Sequence, residues 1–138
     1  MKMNGPLIVL AFLMLGADGP KQDGVKKDKE QLQGTWAAEA GEGEGKPLAK
    51  DALKEWKIVI KGDDINLQGV KFIGYSLDPS KTPKAIDIWT LDLPLQGIYK
   101  VEKDKLHLCL GTPRERPKTF ASDAKGNHIY LIFKREKS

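Results

Sequence analysis

The sequence predicts an all-β fold: an antiparallel barrel of about eight strands with one short helix. Three observations predict it. Short apolar runs with a two-residue period recur from Thr35 to Arg135, at roughly 8–12-residue intervals. Glycine, proline and aspartate punctuate those runs, as turns between short strands require. Gly34-Thr35-Trp36 opens the first run soon after an export-type leader, placing a large aromatic near one end of the sheet.

Each element follows in chain order. At 138 residues the chain is one domain by length. Met1–Ala17 reads as a signal peptide: Lys2 gives a positive start, Leu7–Leu15 is an unbroken apolar run, and Gly16-Ala17 offers small residues for cleavage. That run is far shorter than the about 20 residues needed to span a bilayer, so no membrane span is expected in the mature chain. The expected location is periplasmic or extracellular. Residues 18–30, polar and lysine-rich, read as a flexible tether, and residues 31–138 as the barrel domain.

Thr35–Ala38 reads as the first strand. Gly41-Glu42-Gly43-Glu44-Gly45 is expected to form a mobile surface loop, a lid over any ligand. Leu48, Ala52, Leu53 and Trp56 recur at helical spacing, predicting a turn or two of helix over 49–55. The period then switches to two. Trp56, Ile58 and Ile60 lead to a Gly62-Asp63 turn, followed by Ile65 with Leu67 and a strand from Val70 to Leu77. Ile86–Leu93 is apolar on both faces, so its inward side stays open. Gly97–Glu102 and Lys105–Leu110 form a hairpin, Lys118–Ser122 reads as a short strand, and His128–Arg135 sets Ile129, Leu131 and Phe133 on one face.

Several of these segments together resemble one family. They are Leu32-Gln33-Gly34-Thr35-Trp36, Gly45-Lys46-Pro47-Leu48, Asp78-Pro79 with Pro83-Lys84 and Ile86-Asp87, Gly97-Ile98-Tyr99, Leu106 with Leu108-Cys109, and Arg116-Pro117 with Phe120. The chain is similar to the lipocalin-like domain, without an assigned function, that planctomycete bacteria carry in many copies. The resemblance implies a calycin-type barrel in an exported bacterial protein, and brings no reaction or ligand. It also implies that Gly34, Trp36 and Arg135 close the barrel, with Trp36 stacked on Arg135 or Lys134. The other signature segments of the broader lipocalin group are not evident, so ligand transport is not implied.

Composition narrows the function classes. A net charge of +4 mixed along the chain lacks the one-sided basic stripe of a nucleic-acid binder. His107, Cys109 and His128 are too few donors for a metal site, and no cofactor is expected. Cys109, the single cysteine, sits on a strand-like run as a small hydrophobe. His107 two residues away would lie parallel to it rather than facing it, which disfavours a thiolate–imidazole pair; no enzyme is expected. Arg116 either clamps an anion or, as the more ordinary role, braces its loop against Asp87. With Tyr75, Trp89, Tyr99 and Phe120 it makes the candidate ligand-binding set, provided these side chains face inward. The expected function is non-catalytic binding of a small apolar or amphipathic ligand in the barrel. The alternative is a cell-envelope protein-interaction or inhibitor-like module with a packed core.

Overall fold

The computed structural model describes residues 13–136 apart from residues 69, 73, 91, 92 and 126. Residues 1–12, most of the expected leader, lie outside the described residues. In chain order the elements are α1 (Leu13–Leu32), β1 (Gly34–Gly43), β2 (Lys46–Pro47), α2 (Lys50–Leu53), β3 (Lys57–Lys61), β4 (Asp64–Leu67), β5 (Val70–Phe72), β6 (Gly74–Asp78), β7 (Ala85–Trp89), β8 (Leu95–Glu102), β9 (Lys105–Leu110) and β10 (Ile129–Arg135). The strands form one antiparallel sheet in the order β5-β4-β3-β1-β10-β9-β8-β7-β6. Its two outermost strands are consecutive in the chain, separated only by residue 73. The run 70–78 therefore pairs with β4 through its first half and β7 through its second, giving a nearly closed barrel. The two-residue β2 and this split run account for ten strands where about eight are expected.

Alternation decides what fills the interior. Trp36, Ile58, Ile60, Ile65, Leu67, Leu106, Leu108, Leu131 and Phe133 all point inward and are buried. In β7, Ile86 and Ile88 face the core while Asp87 lies partly exposed and Trp89 is exposed, which resolves the two-sided apolar pattern. The opposite parity is also buried along β8 and β9. Ile98 and Cys109 lie on the outer face, where the long segment between β9 and β10 covers them. Residues 118–122 belong to that covering segment and form no strand. Their backbone follows the outside of the barrel instead of pairing along an edge.

One end of the barrel is sealed by a helix. Residues 18–30, expected to be a tether, belong to α1. Its contacts recur every four residues: Gly24 lies against Pro79, and Asp28 and Leu32 are buried. A stripe made of glycine, aspartate and one leucine carries almost no apolar signal, so sequence periodicity passes over it. Asp28 accepts hydrogen bonds from the Tyr99 hydroxyl at 2.7 Å and the Lys84 ammonium at 2.9 Å, which compensates its burial.

Trp36 and Arg135 tie that end together. β1 lies between β3 and β10, and Trp36 is in register with Arg135 across the β1–β10 ladder. The Arg135 guanidinium lies over the Trp36 ring, Cζ 4.2 Å from the centroid. Its two amino groups donate to Gln33 O at 2.6 Å and Gln31 O at 2.7 Å, neutralising carbonyls at the C-terminus of α1. The Trp36 indole nitrogen donates to Leu32 O at 2.9 Å. Gly34 leaves room for this arrangement: its φ is +124°, and a Cβ there would sit 3.0 Å from the guanidinium.

The glycine-rich segment 41–45 is not a mobile loop. β1 continues through Gly43, and only Glu44 and Gly45 turn the chain, with φ of 53° and 76°. A Cβ on Gly41 would stand 2.9 Å from Leu131 Cδ2, so glycine here admits core side chains rather than flexibility. Gly45 N donates to Ser122 Oγ at 2.9 Å, tethering the tip to the outer segment.

Trp36→Ala should lower unfolding free energy by about 3–5 kcal/mol in urea titration, from lost burial and the cavity left. Arg135→Met, which keeps the apolar stem, should cost about 1–3 kcal/mol through the lost helix-end hydrogen bonds and cation–π contact. Unchanged midpoints for both variants would contradict this account of the sealed end.

Candidate functional site

The opposite end of the barrel is open. β3, β8 and β10 begin there and β4 and β9 end there, and between them lies a cup of about 450 Å³. Leu67 and Leu110, both buried, make its floor, and Trp56, Phe72, Leu95 and Ile129 make its walls. The volume falls within the ordinary range for small-molecule sites, roughly 300–1,000 Å³. The cup stops where the core begins, because the lower interior is filled by Trp36, Phe133 and their neighbours.

Strand ends and turns place each side chain. Ile129, Leu110 and Leu67 are the inward-facing residues nearest the mouth on three strands, so alternation aims them at one another. Trp56 follows directly on the α2 turn, and its backbone is held by Trp56 N to Leu53 O at 3.0 Å and Ala38 N to Trp56 O at 3.0 Å. Gln68 adopts φ of 56° in the β4–β5 turn, and its backbone N–H donates to Lys57 O at 2.9 Å. The far wall is a tight turn, Thr112 to Glu115, bridged by two backbone hydrogen bonds and by Thr112 Oγ1, which accepts from the N–H of Arg114 and Glu115. Gln96 Nε2 adds a 2.7 Å bond to Pro113 O. These contacts hold the walls before any ligand arrives.

The five residues expected to bind ligand do not meet at this cup. Tyr75 faces the core, and its hydroxyl donates to Gly62 O at 2.9 Å, stitching β6 to the β3–β4 turn. Trp89 points outward, 41% exposed, with its indole nitrogen 3.3 Å from Ser76 Oγ. Tyr99 is buried against Asp28, and that burial together with the neighbouring carboxylate holds its phenol far above the ordinary range. Arg116 lies on the outer face: it donates to Ile86 O at 3.0 Å and Gly97 O at 2.8 Å and pairs with Asp87 at 2.6 Å. That is the bracing role. Phe120 packs outside the barrel against Tyr130, with ring centroids 5.8 Å apart, and His107 at 6.2 Å.

Two of the five do share a cavity. Tyr99 and Phe120 border a flank cleft of about 430 Å³, together with Lys81, Lys84 and Lys100. Its polar groups are largely engaged: Lys84 and the Tyr99 hydroxyl by Asp28, and Lys100 by Glu102 at 3.5 Å. The cup leaves two side-chain amides uncommitted. The side chains of Gln68 and Asn127 make no hydrogen bond among the described residues, and both border it.

The thiol and imidazoles do not converge. His107 Nδ1 lies 2.8 Å from the Tyr130 hydroxyl and its Nε2 3.3 Å from Glu102. His128 faces Glu115, and Cys109 Sγ donates to Ala121 O at 3.4 Å. Among the described residues no three histidine, cysteine or acidic side chains are placed to hold a metal ion. No family model, curated protein or solved structure matches the chain. The cup's own chemistry therefore carries the functional reading.

Burial raises the Cys109 pKa, so the thiol stays protonated through neutral pH. Native protein at pH 8 should leave Cys109 unmodified by a disulfide reagent such as dithionitrobenzoate, and denatured protein should react fully. Rapid modification of the native protein would show that the segment over Cys109 opens readily.

Proposed function

We propose that the protein is an exported, non-catalytic binding protein that holds a small apolar or amphipathic molecule in the open mouth of its barrel. The observation that carries this reading is the cup: apolar floor and walls, rigidly held, with unused polar groups at its edge. The packed lower core and the α1 seal confine the ligand to that one end. Export is supported by Lys2 and the short apolar run Leu7–Leu15. The α1 residues shown against the barrel, Gly24, Asp28 and Leu32, all follow Ala17, so a cut there would spare them. Among the described residues no helix is long and apolar enough to cross a membrane. Membership of the planctomycete lipocalin-like family is proposed on the motif resemblance, and the barrel is compatible with it.

One observation favours the interaction-module alternative. Val70, the first residue of β5, and Leu93, just before β8, are 57% and 56% exposed near the cup, where a protein partner could cover them.

The neutral dye N-phenyl-1-naphthylamine should bind the wild-type chain with enhanced fluorescence. Leu95→Trp, which fills the cup from its wall, should abolish that signal while the thermal melt stays cooperative. Equal dye binding by the folded variant would remove the cup reading, and no dye binding by the wild type would favour the partner surface.

A further inference from the structure

Resting on the cup as the binding site, we infer that its ligand is uncharged: an apolar body carrying a neutral hydrogen-bonding head such as a hydroxyl, amide or carbonyl. Lys, Arg, Asp and Glu make up 30% of the chain, yet none of the eleven described residues lining the cup is charged. Strand alternation produces this exclusion. Lys57 follows Trp56 and Lys71 precedes Phe72, and the pleat turns both lysines to the outer surface. Arg114 and Glu115 lie one and two residues beyond Pro113, but the tight turn carries them past the wall, where Glu115 pairs with His128.

A carboxylate or ammonium held at the cup's edge would lose part of its hydration and find no counter-ion among the described lining residues, which costs more than partly desolvating a hydroxyl. The polar groups on offer are the side-chain amides of Gln68 and Asn127. Amides donate and accept equally, so they suit a neutral head that does the same. They sit at the edge while Leu67 and Leu110 make the floor, which orients the ligand head outward and tail down. The flank cleft shows the contrast within one molecule, since three lysines border it and no acid does.

The test uses the full chain and the bound naphthylamine dye, displaced by 1-decanol or by decanoate at pH 8. These probes share a chain length and differ in head charge. Decanol should displace the dye at a concentration about tenfold or more below decanoate. Gln68→Lys, at an exposed turn position, should narrow or reverse that ratio by supplying a counter-ion. Equal displacement, or tighter binding of decanoate to the wild type, would overturn the neutral-ligand inference while leaving the cup as a binding site. Dye that binds but yields to neither probe would overturn the inference too. Failure of the dye to bind at all would instead overturn the cup reading on which it rests.

Discussion

The Arg135 side chain is the constraint on which the rest of the molecule depends. One guanidinium covers the Trp36 indole, binds two carbonyls at the end of α1, and belongs to the strand that pairs with β1. Helix, first strand and last strand are thereby fixed at a single point. An antiparallel sheet left open would expose backbone edges, and joining β1 to β10 removes the two that chain order would otherwise leave. The run 70–78 closes the remaining seam, with Tyr75, Gln33 and Gly62 stitching its sealed end.

Sealing one end decides where a ligand can go. Large side chains crowd the lower interior because Trp36, Tyr99 and Phe133 all meet beneath the helix. Toward the other end Trp56, Phe72, Leu95 and Ile129 stand around the cup and leave it open. The cup is the unfilled remainder of a barrel whose volume is otherwise occupied by its own side chains. Its neutrality has the same origin as its shape: the pleat that turns apolar residues inward sends their lysine neighbours to solvent.

Much of the fold was legible in the sequence. The alternation of Ile58 with Ile60, of Leu106 with Leu108 and Leu110, and of Ile129, Leu131 and Phe133 marks strands and their inward faces without ambiguity. Gly34, Trp36 and Arg135 could be grouped from the resemblance alone. The site was not legible. Its residues come from the ends of six elements between Trp56 and Ile129, and only strand register shows that those ends coincide. The aromatic candidates misled because burial in this protein has two sides. The segment between β9 and β10 covers the outer face, so Phe120 and Cys109 are sheltered without being inside. Helix α1 was missed for a related reason, since its docking stripe of Gly24, Asp28 and Leu32 is not apolar.

The three tryptophans make the central claim directly measurable. Trp36 lies at the sealed end with its indole N–H bonded to Leu32 O, Trp56 stands in the cup wall, and Trp89 is on the outer surface. In a proton–nitrogen correlation spectrum of the full chain, titration with a neutral apolar ligand should shift the Trp56 indole resonance. Those of Trp36 and Trp89 should stay in place. Movement of the Trp36 or Trp89 signal with Trp56 unmoved would contradict a barrel sealed at the helix and open at the mouth.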